Sequence, residues 1–212
     1  SSGPALRPCC LCLRHVSRFI SRLRRERRLS RVGRKISPRK EQMSLKGRSA
    51  IVTGASEGIG YACAESFVGE GVTWLLLIAR DEGKLERARD ALRSLPGGAE
   101  CEMKMLSCDL ADPSGPDRII EALESDGVDS VDILVNNAGT AVFQPIDAVT
   151  ADSYNTQMQL NVTSPYFLTQ KLLPRLQRSA HASVVNISSY HARKGAGVCA
   201  TVYQMCKPQW SE

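Results

Sequence analysis

Tyr203 and Lys207 stand at positions i and i+4 of a 212-residue chain, a spacing that puts both side chains on one face of a helix. Such a pair suits proton transfer. A free phenol, with a pKa of about 10, is a poor proton shuttle at neutral pH, and an ammonium beside it favours the phenolate, so Lys207 is expected to lower the pKa of Tyr203. A second set, Thr53-Gly54-Ala55-Ser56-Glu57-Gly58-Ile59-Gly60, falls between an apolar strand and an amphipathic helix. Glycines there let a turn be tight and let backbone pass close to a pyrophosphate, whose charge sits at the positive N-terminus of the helix. Three glycines in a loop also make a plain structural turn, and it is the placement that points to a phosphorylated ligand.

The elements that must position these residues alternate. Ser49 to Thr53 (SAIVT) reads as a short buried strand, and Gly58 to Glu70 as a helix with Ile59, Ala62, Cys63 and Phe67 on its apolar side. Thr73 to Ala79 is too apolar to alternate, as in a strand covered on both faces. A helix from about Asp81 to Leu95 ends at Pro96-Gly97-Gly98. A strand at Glu100 to Ser107, a helix at Pro116 to Glu124 and a strand at Val131 to Asn136 follow. A long helical stretch from about Ala151 to Arg178 is expected to bend or break at Pro165 and Pro174, and Ser183 to Ser188 reads as a fifth strand. This alternation predicts an α/β fold, a doubly wound parallel sheet in one domain.

The net charge of +6 is unevenly spread. Residues 1–46 hold 14 Lys/Arg against Glu26 and Glu41, a balance of +12, whereas the remaining residues hold 14 against 20, a balance of −6. Residues 1–42 therefore read as a basic extension, with Leu13, Val16, Ile20 and Leu23 at helical spacing. A targeting segment, a surface-binding arm and an extension without a role all fit that pattern. Met43 reads as the natural start of a domain over 43–212. The apolar run Val72 to Ala79 is far shorter than the roughly 20 residues that cross a bilayer, so no transmembrane segment is expected. The 8 cysteines lack the spacing of a disulfide framework and read as free thiols of a reducing compartment. Cys9 and Cys12, with Cys10 and His15, have no second ligand pair downstream, and no metal site is expected. His181 and His191 read as surface histidines.

The order of these pieces resembles the short-chain dehydrogenase/reductase family, including its 3-oxoacyl-reductase-like, tropinone-reductase-like and glucose-dehydrogenase-like members. TGASEGIG has the T-G-x3-G-x-G spacing of that family. Asp109-Leu110, Asn136-Asn137-Ala138-Gly139, Asn161 in LNVTS, Ser188-Ser189 and Tyr203-x-x-x-Lys207 follow in its order, over about residues 45–207. The resemblance implies a Rossmann fold and a dinucleotide held by Gly54, Ser56, Glu57, Gly58, Ile59, Gly60, Arg80, Asp109, Leu110, Asn137, Ala138, Gly139, Tyr203 and Lys207. It implies catalysis by Asn161, Ser189, Tyr203 and Lys207: the tyrosine passes a proton to or from the substrate oxygen, Ser189 holds that oxygen, and Lys207 binds the nicotinamide ribose. Asn161 would anchor a water between Lys207 and solvent. The gap from Ser189 to Tyr203 is one residue longer than is usual in the family, which a bulge in the loop would absorb.

Cofactor choice is expected to turn on the end of the second strand, where Ala79 and Arg80 replace the acid that would bind a ribose 2′-hydroxyl. An arginine there supplies the counter-charge of a 2′-phosphate, so NADP is favoured over NAD, although Glu57 stands where NADP-preferring relatives often carry a basic residue. The expected partners are a small carbonyl or alcohol substrate and, in a complete version, a second copy of the chain. Nucleic acid is not expected. The expected location is the cytoplasm, or a mitochondrion or plastid if residues 1–42 are a targeting segment. Only Pro208 to Glu212 follow Lys207, whereas the family continues through further strands. The expectation is either part of an oxidoreductase or a truncated, non-catalytic nucleotide-binding or interaction module.

Overall fold

The computed structural model describes residues 45–192 and 199–207. The basic arm, with its Cys9 to Cys12 motif and helical pattern, and Pro208 lie outside the described residues. Five strands, β1 (Ser49–Thr53), β2 (Trp74–Ala79), β3 (Glu102–Ser107), β4 (Ile133–Asn136) and β5 (Ser183–Asn186), form one sheet in the order β3-β2-β1-β4-β5, and every neighbouring pair is parallel. Helices α1 (Gly58–Gly69), α2 (Glu82–Arg93), α3 (Gly115–Ser125), α4 (Ala151–Met158), α5 (Ser164–Arg178) and α6 (Thr201–Cys206) connect or follow them.

Alternate residues of each strand face opposite sides, so a parallel sheet needs apolar side chains at successive positions and a helix layer on each face. Ala50 and Val52 of β1 and Leu75 and Leu77 of β2 join Phe67 of α1 and Leu85 and Leu92 of α2. Ile51, Leu76, Ile78 and Leu134 join Ile119 and Leu123 of α3 and Leu168, Leu172 and Leu176 of α5 on the other face. The chain leaves β1 toward β2 and β3, then crosses back to build β4 and β5. The carboxyl ends of β1 and β4 therefore flank the point where the winding reverses, and the connections that leave there part to opposite faces and open a crevice.

Strand β4 starts two residues later than the sequence suggested because Val131 and Asp132 bond elsewhere. Val131 N donates to Arg175 O at 3.3 Å, and the Asp132 carboxylate gathers three segments. It accepts from Ser49 N at 2.8 Å, Ser49 Oγ at 3.1 Å, Ser179 Oγ at 2.6 Å and Arg48 Nη1 at 3.4 Å. Burial alone would raise its pKa, but the hydrogen bonds from Ser179, Ser49 and Arg48 outweigh that and hold it below the ordinary carboxylate value. A depressed pKa means that the folded state favours the ionised form. The resulting stability is full above the unfolded value of about 3.9 and is lost as pH falls through the folded value. Asp132→Asn is expected to cost about 1–2 kcal/mol at neutral pH, with the gap from wild type closing below about pH 4 in thermal melts.

The long helical stretch departs from expectation. It runs through both prolines and instead widens into a π turn at Gln159–Thr163, between α4 and α5. Ser164 N donates back to Gln159 O, and Pro165, which has no N–H to pair, comes directly afterwards at the start of α5. The proline thus occupies the position where the hydrogen-bond ladder changes register. The π turn carries Asn161.

Candidate active site

The turn after β1 is fastened from both sides. Ala55 N donates to Ile78 O at 3.0 Å, tying the turn to β2, and Asn137 Nδ2 donates to the carbonyls of Thr53 at 2.9 Å and Gly54 at 3.1 Å. Thr53 Oγ1 accepts from the backbone N–H of Asn137 at 2.9 Å and of Ala138 at 3.0 Å, and donates to Val135 O at 3.2 Å. A single hydroxyl thereby bridges the ends of β1 and β4. Gly54 and Gly58 take φ of +64° and +62°, the left-handed region in which a Cβ is strained. A Cβ on Gly60 would lie 2.5 Å from Asn137 Nδ2 and closer still to the Gly54 carbonyl, so α1 can approach the turn only as glycine. Glu57 precedes α1 without a side-chain cap, so no carboxylate takes up the first-turn N–H groups that would meet an anion.

A groove of about 440 Å³ opens at this end of the sheet. Gly54, Ser56, Glu57, Ile59, Arg80, Asp109, Leu110, Asn137, Ala138 and Gly139 line it. Gly58 and Gly60 are not among the lining residues; they shape the turn. Asp109 Oδ1 accepts from Ala111 N at 2.9 Å, which folds the segment after β3 around the groove. Lys84 also lines it, a residue that its place inside an amphipathic helix disguised. A glycine-bounded cleft with an uncapped helix N-terminus at one wall fits the phosphates of a dinucleotide.

The residues of the second set meet beyond the end of β4. Lys207, at the C-terminal end of α6, is buried; its Nζ donates to Ile187 O at 3.1 Å and lies 5.7 Å from the centre of the Tyr203 ring. A Cβ on Gly139 would fall 2.7 Å from Asn161 Oδ1 and 3.3 Å from Lys207 Nζ, so those two side chains close on one point of the backbone. Asn161 is buried on the π turn. Its Nδ2 donates to Thr140 O at 2.8 Å and Gln157 O at 2.9 Å, and its Oδ1 accepts from Thr140 N at 3.1 Å. Gln157, fully buried and overlooked in the sequence, accepts from Val142 N at 3.1 Å through Oε1. Together the two amides fix the loop that follows Gly139. Ser188 Oγ donates to Lys207 O at 3.0 Å, while Ser189 Oγ accepts from His191 N at 3.3 Å.

His191 is half-buried rather than exposed. Its Nδ1 is enclosed without a hydrogen-bond partner, and its ring stands edge-on to those of Tyr203, Tyr190 and Phe143, with centroids 6.3, 6.0 and 6.3 Å away. The five described cysteines are free thiols; Cys63, Cys101, Cys108 and Cys206 are buried and Cys199 is exposed. Burial pushes the Cys63 thiol up to about 11, and burial with the Glu102 charge does the same for Cys101, which keeps both protonated at neutral pH. Among the described residues no cluster of His, Cys, Asp or Glu could hold a metal ion, and no helix is long and apolar enough to cross a membrane.

The sequence profile of the family described as short chain dehydrogenase matches residues 48–207. The chain belongs to that family. The chain is 36% identical over 164 residues to the 3-oxoacyl-(acyl-carrier-protein) reductase of rhamnolipid biosynthesis from Pseudomonas aeruginosa, a match covering 76% of this chain and 61% of the relative. It superposes on L-sorbose reductase from Gluconobacter frateurii, solved with NADPH and L-sorbose, with a TM-score of 0.72 and 28% identity, over 79% of this chain and 62% of the other. An NAD⁺-bound xylitol dehydrogenase gives 0.67 at 25% identity, over 77% and 61%. The chain thus spans about three fifths of the length of these relatives. The fold is the Rossmann-like sheet of the family, and family members of this kind are oxidoreductases.

Proposed function

We propose that this short-chain dehydrogenase binds a nicotinamide dinucleotide in the groove at the ends of β1 to β4, NADP(H) in preference to NAD(H), and that in its active form it interconverts a small alcohol and a carbonyl. The observation that carries the reading is the convergence of Asn161 Oδ1 and Lys207 Nζ on Gly139, a lining residue of the groove, with the Tyr203 ring beside the same ammonium. The chemistry that a bound nicotinamide would supply is hydride exchange with the substrate carbon. The oxygen on that carbon is held by Ser189 Oγ, whose proton is left for it because the hydroxyl oxygen accepts from His191 N. The Tyr203 phenol gives its proton to that oxygen in reduction and receives it in oxidation. Lys207 would stabilise the phenolate that forms and would hold the nicotinamide ribose. Asn161 is a positioning residue, since both of its Nδ2 protons go to carbonyls and its oxygen to Thr140 N.

The test is NADPH consumption against a panel of carbonyl compounds, alongside dinucleotide titration of the same protein. Failure to bind any dinucleotide at millimolar concentration would end this reading. Binding without turnover would leave a nucleotide-binding module, whose groove needs only residues up to about Leu160. The cofactor preference has its own test: Arg80→Asp is expected to shift the NADPH to NADH ratio of kcat/KM by at least about tenfold, or roughly 1.4 kcal/mol. An unchanged ratio would make Arg80 a surface charge and nothing more. The exposed Tyr166, Phe167 and Leu173 of α5 support self-association through that helix as the quaternary proposal.

A further inference from the structure

The groove holds a cation that the sequence pattern does not announce. Lys84, on the first turn of α2, lies with Nζ 3.1 Å from Glu57 Oε1 and 3.2 Å from Oε2. The contact spans two connections, from the turn after β1 to the helix after β2. It forms because β1 and β2 are neighbours in register, with Thr53 opposite Ile78, and because Ala55 N is bonded to Ile78 O. Glu57, Arg80 and Lys84 all line the groove. The other two acids of the groove are committed: Asp109 Oδ1 accepts from Ala111 N at 2.9 Å, and Asp81 Oδ1 caps α2 by accepting from Lys84 N at 2.8 Å. Glu57 is then the carboxylate at this end that is not tied to a backbone N–H, and it is engaged with Lys84.

We propose that Lys84 is the second cation, beside Arg80, for the 2′-phosphate of NADP, and that Glu57 limits the preference for NADP by competing for Lys84. The inference rests on the nucleotide reading above. Lys84 and Glu57 side chains are 43% and 72% exposed, and an ion pair that open is worth a factor of about five at most. A 2′-phosphate carries more charge than a carboxylate and offers three acceptor oxygens, so it outcompetes Glu57 for the ammonium. A ribose 2′-hydroxyl cannot, and with NAD the pair stays closed. Glu57, which occupies a position where a basic residue would favour NADP, thus has its charge offset by a lysine from another element.

The experiment uses the full chain and two fragments of the cofactor, 2′,5′-ADP and 5′-AMP, whose affinities are measured by calorimetry, so that no turnover is needed. Lys84→Met is expected to weaken 2′,5′-ADP about tenfold while 5′-AMP stays within about twofold, and Lys84→Arg to restore most of the loss. Glu57→Gln is expected to tighten 2′,5′-ADP about three- to fivefold. Both effects should shrink when ionic strength rises from about 0.05 to about 0.5 M. Lys84 is exposed, and circular dichroism of each variant checks that the helix is kept. If Arg80→Ala weakens 2′,5′-ADP but Lys84→Met does not, the role of Lys84 is overturned and the nucleotide reading stands. If the wild-type chain binds neither fragment and no intact dinucleotide, the nucleotide reading itself fails.

Discussion

Tyr203→Phe is expected to lower kcat for carbonyl reduction by about 10²- to 10⁴-fold while dinucleotide affinity stays within about twofold of wild type. The substitution removes one oxygen from a ring that otherwise keeps its packing against His191 and its place over Lys207. What is lost is the proton that must reach the substrate oxygen as negative charge develops on it. Dinucleotide affinity should survive, because the groove is lined by residues of the turn after β1 and of the ends of β2, β3 and β4, and Tyr203 is not among them. Steady-state kinetics and a separate titration with NADPH check the two halves. Turnover equal to wild type would exclude Tyr203 as the proton donor, and a parallel loss of dinucleotide affinity would mean that the ring supports the groove instead.

The second large effect is expected at Gly60, where alanine should abolish dinucleotide binding and lower the melting temperature by about 3–10 °C. The added Cβ would sit 2.5 Å from Asn137 Nδ2 and closer to the Gly54 carbonyl, and neither is the free end of a flexible side chain. Asn137 bonds the carbonyls of Thr53 and Gly54, so making room for the methyl separates the β1 turn from β4. Overpacking of this kind costs about 1–3 kcal/mol, which in a domain of this size corresponds to a few degrees for each kcal/mol. Gly58→Ala is the control. Nothing stands within 4 Å of a Cβ there, and its cost is confined to the strain of a left-handed residue, about 1–2 kcal/mol. Calorimetric melts and NADPH titration of both variants decide the matter; a Gly60→Ala protein that melts and binds like wild type would mean that the turn is not held as tightly as its hydrogen bonds imply.

The parts of the fold that were legible in the sequence are those written in consecutive residues. β1 was read with its observed bounds, Ser49–Thr53, because SAIVT is apolar and ends at a glycine turn, and both α1 and β2 were found within a residue of their positions. Where a boundary depended on a distant partner, the reading slipped. Val131 and Asp132 look like the start of a strand until Arg175 and Ser49 claim them, and Ser49 lies 83 residues from Asp132. The π turn at Gln159–Thr163 leaves no local trace, because proline predicts only that a ladder is interrupted and not how the register is recovered. Site residues followed the same division. The glycine turn, Asn161, Tyr203 and Lys207 stand in recognisable strings, whereas Lys84 and Gln157 have their positions through partners 27 and 15 residues away, and His191 through rings on separate segments.

Thr53 Oγ1 and the side chain of Asn137 join the turn after β1 to the loop after β4, and Gly139 in that loop abuts Asn161 and Lys207. Hydrogen bonds and close contacts therefore lead from the turn after β1 to the ammonium beside Tyr203. A displacement of the turn by an occupant is expected to be felt at Lys207, and the reverse equally. Thermodynamic reciprocity then ties the two ligands together. Whatever factor a dinucleotide lends to the affinity for a substrate analogue, the analogue must return to the dinucleotide in equal measure.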